Sequence, residues 1–137
     1  MKLYVLDACA IIALLHDEIG SDIVAAVFNK AYSGKATIMI NKINLLEVYY
    51  DAIKSRSREQ ADIMLAELKK RPININHELS DEVFKEAGRL KASYKISLAD
   101  SVALAEASVS GGILLTADHH ELDTVDKNER IYFHWIR

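Results

Sequence analysis

The sequence predicts an α/β fold: one domain over residues 1–137, built as three α/β/α layers around a mainly parallel sheet of four to five strands. Three observations carry this. Short apolar runs alternate with longer helix-patterned stretches along the chain, as in successive βα units. The runs are mostly continuous rather than alternating, as strands covered on both faces require. The 137 residues include only five glycines and one proline, too few for a sandwich or barrel that turns every 8–12 residues or so.

Leu3–Leu6 is the first strand run, and Ala8–Leu15, rich in alanine and leucine, is the helix after it. A second helix over Ser21–Tyr32 closes at Ser33-Gly34 and leads into the strand Thr37–Ile40. Ile43–Lys54 reads as a helix, and Ser57-x-x-Gln60 is a capping-box pattern that opens another, running to Lys70 and stopped at Pro72. Ile73–Asn76 alternates strictly and is expected at a sheet edge. Helices follow from Ser80 or Asp81 to Tyr94 and from Ser97 to Val109, the second ended by Gly111-Gly112. Ile113–Thr116 is a fourth strand, and Ile131–Trp135 is the candidate fifth.

Half of the residues are hydrophobic and 27% are charged, which excludes a disordered segment. The net charge of −3 gives no global basic field for nucleic acid. A local acidic site whose charge a bound cation cancels remains compatible with it. Cys9 is the only cysteine, so neither an internal disulfide nor a thiolate zinc cluster can form. The longest apolar run, Ala8–Leu15, falls far short of the roughly 18 residues that cross a bilayer. Asp7 interrupts the N-terminal run before it reaches signal-peptide length, and the protein is expected in the cytoplasm.

Four carboxylates stand where a parallel sheet keeps its chemistry, beyond the carboxyl ends of strands, or on buried helix faces. Asp7 directly follows the first strand and Asp118 comes two residues after the fourth; both stand at helix starts, where N-capping is the competing reading. Asp100 belongs to a helix that is apolar almost all round and shares a face with Ala103, Leu104 and Ala107, although Ser97-x-x-Asp100 also resembles a capping box. Glu47 lies within a stripe of Ile43, Leu46 and Tyr50, with an ion pair to Lys42 or Lys54 as the alternative. If the four meet, their repulsion raises their pKa values unless a cation neutralises them. An all-oxygen ligand set favours Mg²⁺ or Mn²⁺ over zinc. Magnesium's preference for phosphate oxygens points to phosphodiester chemistry. Thr116 would set a hydroxyl beside such a site.

The stretches Leu6-Asp7-Ala8-Cys9-Ala10, Asn44-Leu45-Leu46-Glu47-Val48, Ser97-Leu98-Ala99-Asp100-Ser101-Val102-Ala103-Leu104-Ala105 and Leu115-Thr116-Ala117-Asp118-His119-His120 together resemble a PIN domain. Within that superfamily they are similar to the VapC-type toxins of bacterial and archaeal toxin–antitoxin pairs. The resemblance implies a PIN-like fold and an endoribonuclease that uses Mg²⁺ or Mn²⁺. It implies that Asp7, Glu47, Asp100 and Asp118 hold metal and water, and that cleavage leaves a 5′-phosphate and a 3′-hydroxyl. It further implies a homodimer inhibited by a cognate antitoxin. Cys9 departs from the pattern, standing where many relatives carry Ser or Thr; it reads as a small buried hydrophobe rather than a nucleophile.

Lys54, Arg56 and Arg58 form a basic cluster after the Glu47 helix and are candidate RNA phosphate contacts; Lys69-Lys70-Arg71 suits a helix end. His119 and His120 read as a solvated turn, His16 and His77 as surface or helix-end residues. Two competing functions are a receiver-like Mg²⁺-binding signalling domain and a catalytically idle PIN-like binding module. The receiver reading wants an acidic pair after the first strand and a phosphoacceptor after the third, whereas alanine follows Asp7 and Asn76-His77 stand after the third.

Overall fold

In the computed structural model, which describes residues 1–137, β1 (Lys2–Leu6), β2 (Ala36–Asn41), β3 (Asn74–Asn76), β4 (Ile113–Thr116) and β5 (Tyr132–Trp135) form one sheet. All four pairings are parallel, in the order β3-β2-β1-β4-β5. The helices are α1 (Ala8–Leu15), α2 (Ser21–Tyr32), α3 (Lys42–Ser55), α4 (Arg58–Lys69), α5 (Asp81–Ser93), α6 (Leu98–Ser110) and α7 (His119–Asn128).

The sheet separates two cores, because successive strand residues point to opposite faces. Tyr4 and Leu6 of β1 join Ile11, Val24, Phe28 and Val48 on the side of α1, α2 and α3. Val5, between them, joins Leu90, Leu104, Leu122 and Val125 on the side of α5, α6 and α7. This is the expected three-layer α/β/α arrangement, with the sheet wholly parallel. β3 is an edge strand as expected and is short, because the Ile73 N–H donates to the Arg71 carbonyl instead of joining the ladder.

The helix starts follow local chemistry. The hydroxyls of Ser57, Ser80 and Ser97 accept the N–H of Gln60, Val83 and Asp100, fixing the first turns of α4, α5 and α6. At α2 the preceding residue is Gly20, with φ +98°; a Cβ there would sit 2.5 Å from the Ile136 carbonyl oxygen, so the C-terminal segment packs directly on this backbone. No helix is long and apolar enough to cross a membrane.

Two expectations are corrected. His119 and His120 are exposed as expected but form the first turn of α7 rather than a free turn, and the His119 ring stacks on Trp135 at 3.8 Å. Only Leu122 and Val125 of α7 are buried, so its apolar pattern is too sparse to mark a helix in sequence. The stripe of Ile43, Leu46 and Tyr50 on α3 is exposed rather than interior. The buried face of that helix is Asn44, Leu45, Val48 and Ala52, because two asparagines, Asn41 and Asn44, find polar partners on neighbouring elements.

Candidate active site

The chain passes from β1 outward to β2 and β3, then returns to the other side of β1 as β4, so the crevice between the ends of β1 and β4 is the switch point of the sheet. Leu6 is the register partner of Leu115, which sets Asp7 beside Thr116. The Thr116 hydroxyl donates to Asp7 Oδ2, and the Ala10 N–H donates to Asp7 Oδ1 at 3.0 Å. Asp7 therefore does cap α1, and it is also only 1% exposed with no cation beside it. Burial pushes its pKa up to about 6; the bonds from Thr116 and Ala10 oppose that, and the charges of Asp118 and Glu47 add to it.

Thr116 links two acids, since its Oγ also accepts the Asp118 N–H at 3.2 Å. Asp118 caps α7 by accepting the Glu121 N–H, again at 3.2 Å. Asp100, in the first turn of α6, is buried, and its neighbours Ala103, Leu104 and Ala107 are buried with it. One carboxylate oxygen from each of Asp100, Asp118 and Glu121 lies within 4.8 Å of the others. Burial first, then the contact with Glu121, holds the Asp100 carboxyl well above its ordinary range, while the same contact lowers Glu121. The two carboxyls therefore titrate as a pair, with Asp100 raised and Glu121 lowered.

Glu47 joins Asp100, Asp118 and Glu121 in lining a cavity of about 420 Å³. Neither Lys42 nor Lys54 pairs with Glu47; its one partner is the Tyr50 hydroxyl at 3.5 Å. Burial raises its pKa, and Glu121 and Asp118 add to the effect. None of the five acids takes part in any of the six ion pairs of the molecule. Cys9 lines the same cavity half-buried rather than sealed in the core, and burial and the nearby Asp7 push its thiol up, which removes it as a nucleophile.

Glu121 is the residue that the sequence reading passed over. Its signal was the spacing Asp118-x-x-Glu121, a capping-box pattern that turns both carboxylates to one side of a helix start. The basic cluster is not in the acidic cavity. Lys54, Arg56 and Arg58 are exposed and form no ion pair, and Arg56 lines a neighbouring groove with His16. His16 pairs with Asp51 at 3.2 Å, and Asp51 lines the acidic cavity, so the two depressions adjoin.

An all-parallel α/β/α sheet with carboxylates gathered at its switch point defines a class of acidic-site α/β proteins, and its strand order differs from the 2-1-3-4-5 of receiver domains. The profile of the PIN domain family matches residues 4–128, and the chain belongs to that family. Its fold is similar to that of VapBC2 from Rickettsia felis, solved bound to a DNA fragment from their promoter, with a TM-score of 0.74 and 19% identity over 97% of this chain and 98% of that one. It is also similar to DNA-bound VapBC from Salmonella typhimurium, at TM-score 0.74 and 17% identity over 100% of each chain. A third similar structure is the sarcin–ricin-loop-cleaving toxin VapC20 of Mycobacterium tuberculosis, at TM-score 0.63 and 14% identity over 91% of this chain and 95% of that one. A search of curated proteins finds no match in sequence.

Proposed function

We propose that this protein is a metal-dependent endoribonuclease and the toxin of a VapC-type toxin–antitoxin pair. The observation that carries the reading is the unpaired acidic site: five carboxylates at or around the switch point of a PIN fold, none of them in an ion pair with lysine or arginine. Buried or crowded carboxylates of this kind are stable when a cation joins them. The all-oxygen donor set fits Mg²⁺ or Mn²⁺. Asp7, Asp100, Asp118 and Glu47 would hold the ion directly or through water, with Glu121 completing the set.

When bound, the ion supplies charge neutralisation and activation of water for attack on a phosphodiester. The chain's residues supply the frame. Thr116 holds Asp7 and Asp118 at fixed positions through its hydroxyl. Glu47, on the opposite helix, is half-exposed and reaches the cavity from the solvent side, where it orients water. Lys54, Arg56 and Arg58, of which Arg56 lines the adjoining groove, would receive RNA phosphates outside the acid site. The similarity to VapBC complexes supports a cognate antitoxin as partner, and the reading includes the homodimer that the family resemblance implies. An RNA substrate goes with a cytoplasmic site of action.

The test is cleavage of tRNA and other RNA with Mn²⁺, Mg²⁺ or EDTA, comparing native protein with Asp7→Asn and Glu47→Gln. The expected result is metal-dependent cleavage that each substitution lowers by at least about 100-fold, more than loss of an outer-shell partner costs. Equal cleavage by native and variant preparations, or cleavage unaffected by EDTA, ends the nuclease reading; no cleavage at all by the native chain leaves the idle binding module.

A further inference from the structure

A third buried carboxylate, after Asp7 and Asp100, has no place in that site. Glu106 on α6 is 4% exposed and forms no ion pair. Its Oε2 accepts two side-chain amides instead, from Asn41 Nδ2 at 3.0 Å and Asn76 Nδ2 at 2.5 Å. Asn41 and Asn76 are register partners in the final rung between β2 and β3. Asn41 is also the residue that starts α3, its Oδ1 accepting the Ile43 N–H at 2.9 Å. One carboxylate thus ties the ends of two strands and the beginning of the Glu47 helix to α6.

The tie continues along both helices. Asn44, fully buried, donates from Nδ2 to the Ala99 carbonyl at 3.0 Å. Asn41, Asn44 and Glu47 are spaced three apart on α3, and Glu106, Ala103 and Asp100 are spaced three apart on α6, so each set forms a ridge. The two bonds show the ridges running in opposite directions: Asn41 meets Glu106 at one end, and Glu47 and Asp100 stand at the other. An apolar side chain at position 106 would fill the space without burying a charge. What the carboxylate adds is direction, because an amide–carboxylate bond weakens steeply when its distance and angle are lost, whereas an apolar contact tolerates sliding.

We propose that Glu106, with Asn41 and Asn76, is a positioning residue that sets the register of α3 on α6 and so the separation of Glu47 from Asp100. The proposal rests on the metal site described above and goes beyond it, since Glu106 touches neither ion nor substrate.

The experiment is Mn²⁺ binding to the full chain by calorimetry or electron paramagnetic resonance, in native and Glu47→Gln backgrounds, with thermal melting recorded for each protein. Glu106→Leu removes the acceptor. Asn41→Ser keeps an N-capping oxygen but loses the amide that reaches Glu106, and it carries the test if Glu106→Leu does not fold. Both are expected to weaken Mn²⁺ binding about tenfold, the scale of an outer-shell loss. Neither should weaken it further once Glu47 is Gln, while their melting temperatures fall equally in both backgrounds. Glu106→Gln keeps an acceptor oxygen and is expected to bind nearly as the native chain does. Native-like affinity in Asn41→Ser and in any folded Glu106→Leu, or an equal loss in both backgrounds, overturns the proposal and leaves the metal site standing. Failure of the native chain to bind Mn²⁺, or binding indifferent to Glu47→Gln, overturns the site reading and this proposal with it.

Discussion

Two groups of carboxylates in this molecule have opposite electrostatics. Where α5 meets the loop after α7, Arg89 bonds Glu86 and Glu129 at 2.7 Å each, and Ser108 and Tyr94 donate to the same two acids. Arg89 holds both glutamates below their ordinary range. At the switch point the corresponding cation is missing, and Asp7, Glu47 and Asp100 are all raised, burial being the first cause for each. One group is paired within the chain; the other forms no ion pair there. Acidic composition cannot distinguish them, because the difference lies in what faces each carboxylate.

The comparison breaks most sharply in activity. Asp100→Asn is expected to lower RNA cleavage by at least about 100-fold, whereas Arg89→Met leaves it near native; comparable losses in both, measured by single-turnover cleavage, would mean that the two groups do not differ in role.

Stability gives the next largest effect, with opposite sign. Asp7 has a folded pKa raised from 3.8 to about 6, so between those values the folded state binds more protons than the unfolded one, and stability falls as pH rises. Above that window the cost is fully present, at roughly 3 kcal/mol. Asp7→Asn is therefore expected to stabilise the metal-free protein by about 2–3 kcal/mol at pH 8 and much less at pH 4, read by urea unfolding in EDTA. A destabilised variant at pH 8 would show that Asp7 is already compensated within the chain.

Metal binding sharpens the same point. A proton held by Asp7 must leave before a cation can replace it, so Mn²⁺ affinity is expected to weaken about tenfold per pH unit as pH falls below about 6. The Mn²⁺-induced rise in melting temperature should be larger at pH 7.5 than at pH 5; an equal rise would place the ion elsewhere.

The smallest effect belongs to the paired group. Arg89 is half-exposed, and its loss in Arg89→Met should cost up to about 1 kcal/mol near neutral pH. Glu86 and Glu129 have depressed pKa values, so their contribution is present above the unfolded carboxylate pKa and disappears as pH falls through the folded values. The deficit should vanish in acid.

Glu47 shows how far the sequence could be read. Its place in the cavity was expected, yet the stripe that suggested it, Ile43, Leu46 and Tyr50, faces solvent. The burial of α3 is decided by Asn41 and Asn44, whose amides find Glu106 and the Ala99 carbonyl on α6. Periodicity alone credits apolar residues with the interior and cannot see a polar pair formed across the structure. Glu106 was invisible for the same reason, set among the alanines, valines and serines of α6. Glu121 and α7 were lost because a mostly polar stretch with two buried residues carries little periodic signal. Local events fared better: the serine caps at Ser57, Ser80 and Ser97 form where expected, since a cap involves only residues three apart.

The sequence by itself determined the alternation of strands and helices, most element boundaries, and the presence of acids just beyond two strand ends. Each of these depends on backbone geometry and on side chains within a few residues of one another. Only the tertiary structure decided that β4 returns to lie beside β1, bringing Asp7 to Thr116 and Asp118, and that Glu121 joins Asp100 while no lysine or arginine does. Strand pairing and the burial of charge are set by partners far apart in the chain, so the cost of each carboxylate exists only once the sheet has closed around it.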